Sequence, residues 1–171
     1  MKLLLATLVT AFALVLSVKA DDVTAKITGV HLCCDKCVQG VDKAVGTVSG
    51  AKAASDKADG TVTITAPDKE TAQKAANALV AAGYFGVSSD VTLDPSTGAK
   101  DKKVKTTTIT GLHLCCGKCV KAVDTTCKSV AGVTAQDAAK GASSFTVTGD
   151  FNQKELMDAL QKAGLTGKVS E

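Results

Sequence analysis

The polar and apolar positions of this chain follow a pattern that occurs twice. A run rich in Thr, Val and Ile, the composition of a β-strand, covers Val23–Leu32 and recurs at Val104–Leu114. Each run leads into apolar positions spaced for one helix face: Cys37, Val41, Val45 and Val48, then Cys119, Val123, Cys127 and Val130. Asp59-Gly60 and Lys140-Gly141 mark hairpin turns into the outgoing strands Thr61–Ala66 and Ser144–Gly149. A second helix is predicted to start near Asp68 and near Asn152, residue types that accept from orphaned helical N–H groups. It ends at Gly83 and at Gly164, which suit the residue just past a helix, and a last strand follows. The order in each copy is β-α-β-β-α-β. The predicted fold class is α+β: two tandem ferredoxin-like βαββαβ domains, each an antiparallel four-stranded sheet with two helices on one face.

The copies also align residue by residue. Cys34 and Cys116 lie 82 positions apart, and VTAKITGVHLCCDKCVQGVDKAV stands against VKTTTITGLHLCCGKCVKAVDTTC. Between them, Leu93–Lys105 has the Pro, Gly, Ser and Lys content of an exposed linker. These features place the first domain at residues 23–93, a linker at 94–103 and the second domain at 104–171.

Residues 1–20 read differently. Met1-Lys2, an apolar run from Leu3 to Val18 and then Lys19-Ala20 make a secretory signal peptide, with cleavage expected after Ala20. The run is shorter than the ~20 residues of a spanning helix. A retained anchor helix is the alternative. The expected location is periplasmic or secreted, with no membrane association once the signal is cleaved. The leader holds two of the 20 basic residues and none of the 17 acidic ones, leaving 18 against 17 and a net charge of +1. With that charge, four Phe, one Tyr and no Trp, the chain lacks both the basic face and the stacking aromatics of a nucleic-acid binder. The core must be built from Val, Leu, Ile and Ala, and small cores of that kind gain from a metal or a disulfide.

Six of the seven cysteines sit in the repeated stretch, GVHLCCDKC at Gly29–Cys37 and GLHLCCGKC at Gly111–Cys119. Thiolates three apart, one on the strand-to-helix loop and one in the first helical turn, can converge on a single ion. Soft sulfur selects Cu(I), Zn(II) and other thiophilic ions over Ca or Mg. The helix N-terminus and the adjacent Lys36 or Lys118 favour the thiolate.

The chain resembles the heavy-metal-associated domain, whose signature Gly-Met-x-Cys-x-x-Cys lies between the first strand and first helix. The resemblance matches Cys34 and Cys37, and Cys116 and Cys119, to the paired ligands. It puts Leu32 and Leu114 at the Met position and His31 and His113 at the Gly position. AAGYFG resembles the family's Ala-Gly-Tyr segment, which implies that Tyr84 lies beside the metal loop; the second copy has Leu165 there. Tyr84 otherwise reads as the edge of a core. The two leucines are expected to fill the core beneath the loop.

Cys33 and Cys115 occupy the family's variable position. As third thiolates they would raise the coordination number, and His31 and His113 could complete a Cys₃His set of the kind zinc accepts. The other reading points His31 and His113 away into solvent. Both stay open. Cys127 stands where the first copy has Val45, and reads as a buried, inert thiol. Lys36 and Lys118 are either ordinary solvated lysines or counterions to a metal–thiolate centre.

The expected function is an exported metal-binding protein, a chaperone, scavenger or buffer, and not an enzyme. Cu(I) is the first candidate and Zn(II) the second, with mercury or cadmium open; a metal-exchange partner protein is conceivable, and nucleic acid is not. The alternative is a thiol–disulfide or disulfide-stabilised interaction module without metal. Whether the repeats act separately or clamp one ion between two loops is not decided by the sequence.

Overall fold

The structure is a computed structural model that describes residues 22–170; the expected signal peptide lies outside the described residues. In the first half, β1 (Val23–Ile27) and β2 (Lys52–Asp56) flank β3 (Thr61–Ala66), all antiparallel. Helices α1 (Asp35–Val45) and α2 (Lys69–Ala81) connect them in β-α-β-β-α order. The second half repeats the plan with β4 (Lys103–Thr110), α3 (Gly117–Ser129), β5 (Val133–Gln136), β6 (Ser144–Asn152), α4 (Gln153–Lys162) and β7 (Lys168–Ser170). Its sheet order is β5-β6-β4-β7. These are two ferredoxin-like domains. Alternation along the strands buries one face of each sheet, with Ala25, Ile27, Val62 and Ile64 inward in the first half and Ile109, Phe145 and Val147 in the second. Cys37, Val41, Ala44 and Val45 from α1 cover the first face, and Leu156, Met157 and Leu160 from α4 help to cover the second.

Each first strand is shorter than its apolar run. β1 and β4 stop before Gly29 (φ 74°) and Gly111 (φ 76°), whose left-handed backbone ends the extended conformation. The residues from there to the helix form a loop, and the sulfurs and imidazoles lie on it. The first half's last strand is also reduced, to one bridge in which Thr28 and Val87 exchange two 2.9 Å backbone bonds. Two residues earlier in β1, the Lys26 N–H donates to the Asp90 carboxylate at 2.9 Å. A side chain takes the place of the next rung.

The halves share one continuous cluster of buried residues. At their joint Tyr84 bridges antiparallel to Leu165, with Phe85 N–H donating to the Gly164 carbonyl (3.2 Å) and Thr166 N–H to the Gly83 carbonyl (3.1 Å). Gly83 (φ 88°) and Gly164 (φ 78°) follow α2 and α4 as left-handed caps, and each lets the other half approach. A Cβ on Gly83 would stand 2.5 Å from the Gly111 carbonyl oxygen, and one on Gly164 would collide with the Gly29 carbonyl and the His31 N–H.

The segment expected as an exposed linker is held against the second half. Val169 N–H donates to the carbonyl of buried Thr97 (2.8 Å), Gln161 to the Pro95 carbonyl (2.9 Å), and Lys100 N–H to Gln153 (2.8 Å). Among the described residues no helix is long and apolar enough to cross a membrane.

Candidate metal centre

Cys34 and Cys116 are the N-cap residues of α1 and α3, extended at φ −162° and −152°. Cys37 and Cys119 sit one turn on, fully buried, while Cys33 and Cys115 precede the caps and are half-buried. Because the joint between the halves is so close, these two loops face each other. All seven cysteines lie in the described residues and are free thiols.

The six loop sulfurs form one cluster. Within the first half, Cys37 is 3.6 Å from Cys33 and 3.8 Å from Cys34; in the second, Cys119 is 3.7 Å from Cys115 and 3.9 Å from Cys116. Across the joint, Cys33 is 3.4 Å from Cys116 and 3.5 Å from Cys119. Cys34 is 3.6 Å from Cys115 and 3.7 Å from Cys116, and Cys37 is 3.5 Å from Cys115 and 4.0 Å from Cys119. These separations are van der Waals contacts, well beyond the ~2.05 Å of a disulfide. The vicinal pairs Cys33–Cys34 and Cys115–Cys116 lie within 4.8 Å.

The imidazoles complete the shell from the opposite half. His31 groups with Cys33 and Cys119, and His113 with Cys37 and Cys115, each set within 4.8 Å. Each histidine thus reaches a sulfur on the other repeat. The Nε2 atoms of His31 and His113 are buried without a hydrogen-bond partner. A buried unpartnered ring nitrogen is costly, and a metal would satisfy it. Burial is also the main reason the His31 pKa is lowered, which favours the neutral ring that ligates.

Crowding splits the proton affinities of the sulfurs. The Cys119 thiol donating to Cys37 holds Cys37 well below the ordinary thiol range, with His113 adding to the effect. The same contact, together with burial, pushes Cys119 up. Burial raises Cys33 to about 12 and raises Cys115 as well. The Cys119 backbone N–H at the start of α3 lowers Cys116 to about 6.

Sequence reasoning named all eight of these residues and left open whether the repeats act separately; the structure brings them together in one place. It did not single out Gly40 or the bond that gives Tyr84 its role. Tyr84 is fully buried, donates from its hydroxyl to the Cys37 carbonyl at 2.9 Å, and stacks on His113 with ring centroids 4.6 Å apart. Gly40 leaves the space for that hydroxyl, because any Cβ there would collide with it. Leu32 and Leu114 are buried, Lys36 and Lys118 are exposed, and Cys127 is buried, its thiol raised to about 11 chiefly by desolvation. Lys57, paired with the Asp35 carboxylate, also faces Cys34.

No protein-family model matches the sequence, and no curated protein matches it. Among solved structures the chain is similar to the N-terminal domain of PacS from Synechocystis PCC6803, at 20% identity and TM-score 0.36, covering 40% of this chain and 100% of that one. It is also similar to the N-terminal soluble domains of Bacillus subtilis CopA, at 15% identity and TM-score 0.35, covering 88% of this chain and 95% of that one. The first two RRM domains of yeast poly(U) binding protein (Pub1) match at 10% identity and TM-score 0.27, over 86% and 97%. The fold assignment rests on the strand order and register described above.

Proposed function

We propose that this chain is an exported metal-binding protein of the heavy-metal-associated type, which buffers or scavenges a thiophilic ion and catalyses no reaction. One observation carries the reading: six free cysteine sulfurs and two unpartnered imidazole nitrogens, drawn from both repeats, converge on a single shell. Oxygen-preferring cations have no ligands there, whereas Cu(I) is matched to thiolate. Sulfurs enclosed between two halves suit holding an ion; passing one to a partner protein would require the joint to open.

The test is metal analysis of protein isolated anaerobically from its native compartment. Recovery of copper with all six loop cysteines reduced supports the reading, and metal-free protein with paired sulfurs refutes it. A Cys34→Ser/Cys116→Ser double variant that retains its full metal content would refute the ligand assignment. Zn(II) is the second candidate, favoured by the imidazoles, since zinc accepts mixed cysteine and histidine ligands and each histidine lies within 4.8 Å of two sulfurs. Recovery of zinc at two ions per chain would select it.

A further inference from the structure

The contacts among the six sulfurs define a polyhedron. Ten pairs lie between 3.4 and 4.0 Å and the two vicinal pairs within 4.8 Å. Of the fifteen possible pairs, three remain: Cys33 with Cys115, Cys34 with Cys119, and Cys37 with Cys116. No two of these share a sulfur. Six points joined along every pair except three disjoint ones are the corners of an octahedron, and the three are its opposite corners. Each opposite pair takes one sulfur from each repeat.

An octahedron contains triangles of mutually touching corners but no set of four. It therefore offers three-coordinate sulfur sites and no all-sulfur tetrahedron. The centre of a face with edges of this length is about 2.1 Å from its three sulfurs, the range of a soft metal–thiolate bond (about 2.3 Å for zinc). Neighbouring faces share an edge, and ions in both would overlap. Alternate faces share only a corner, and four such faces cover the polyhedron. One alternate set is Cys33-Cys34-Cys37, Cys33-Cys116-Cys119, Cys34-Cys115-Cys116 and Cys37-Cys115-Cys119. Every sulfur then bridges two ions.

Charge points the same way. Six thiolates around one monovalent ion leave five negative charges in a partly buried space, a large unbalanced cost. Four monovalent ions leave two.

We propose that the joint between the repeats is the site of one tetranuclear Cu(I)–thiolate cluster, in which the six cysteines bridge four ions on alternate faces of the sulfur octahedron. This rests on the metal-binding reading above and goes beyond one ion per Cys-x-x-Cys pair. Loading leaves all six cysteines as thiolates and releases whatever protons the apo thiols still hold as four Cu(I) enter, with no change of oxidation state. His31 and His113 lie at the rim, each beside two corners, and the cluster does not need them as ligands.

The test uses the full mature chain, reduced and anaerobic, titrated with Cu(I) supplied as its acetonitrile complex against a competing Cu(I) chelator. The expected result is retention of four ions per chain, counted by native mass spectrometry. X-ray absorption should show three sulfur neighbours per copper and a short copper–copper vector. Two retained ions without that vector would overturn the cluster and leave the metal-binding reading standing. No retained copper would overturn the cluster and the copper reading together, leaving zinc as the ion to test. Cys33→Ser/Cys115→Ser removes one pair of opposite corners and with it every occupied face, since each face contains one of the two. This variant should drop from four ions to two or fewer while keeping both Cys-x-x-Cys pairs. Retention of four ions by it, with the fold intact by circular dichroism, would overturn the proposal.

Discussion

Gly40 is where the two repeats diverge most informatively. Its counterpart is Ala122, and the counterpart of Tyr84 is Leu165, which has no hydroxyl to accommodate. Gly40→Ala should therefore drive a methyl into the Tyr84 hydroxyl and the His113 ring, at a cost of about 1–3 kcal/mol by urea denaturation. Gly117→Ala, whose Cβ would meet nothing within 4 Å, should cost nothing measurable in the same assay. Tyr84→Phe should lose about 1 kcal/mol, the worth of its bond to the Cys37 carbonyl. Cys127 gives a chemical check. Its folded pKa lies above the free thiol's, so its contribution to stability is complete below about 9 and fades as pH rises toward 11. At pH 8 it should resist iodoacetamide in native apo protein, by mass spectrometry, while Cys116, half-buried and lowered to about 6, reacts. The residues of the candidate site were legible in the sequence because they are written twice. Gly40 was not, because the group it makes room for comes from the far end of the same repeat, through packing that no local spacing encodes.

At the scale of elements, the helices follow their caps. The Asn152 side chain accepts from Lys154 N–H (2.9 Å) and Glu155 N–H (3.2 Å), and Asp68 accepts from Thr71 N–H (2.7 Å). Asn152→Ala should cost about 1 kcal/mol. The Asp68 carboxylate is held below its ordinary value chiefly by the Thr71 N–H. That contribution is present above the unfolded pKa of 3.8 and is lost as pH falls through the folded one. Asp68→Asn, which keeps the cap without the charge, should therefore flatten the fall in melting temperature on acidification below pH 4. These caps were readable because the residue type alone does the work. The strand ends were harder. Val23–Leu32 has strand composition throughout, yet a single left-handed glycine breaks it. The first half's missing rungs depend on Asp90 reaching a backbone N–H of β1, a long-range substitution with no composition signature.

The molecule as a whole depends on the closeness of its joint, and this was the least legible feature. Two similar repeats predict two similar folds; nothing in their spacing says that the loops face one another. Gly164→Ala tests the joint directly. It strains a left-handed position and also collides with Gly29 and His31 of the other half, whereas Gly141→Ala (φ 79°) strains an equivalent backbone facing open space. Both should lower stability through the backbone. Only Gly164→Ala should also weaken copper retention, read by competition with a chelator, because it holds the loops apart. Equal loss in the two variants would mean that the joint is incidental to the site.

One detail of the connection between the halves bears on how the site behaves at low abundance. Thr92 is tied back to α2 through Gln73, whose side chain both donates to its carbonyl and accepts from its N–H, and Pro95 is tied to α4 through Gln161. Only Leu93 and Asp94 lie between the two anchorages. Should the halves ever part, the tether would keep each loop at a millimolar or higher effective concentration of the other. Reassembly is therefore first-order, and the fraction of molecules with joined loops should be the same in dilute solution as in concentrated solution, which no pair of freely diffusing modules could match.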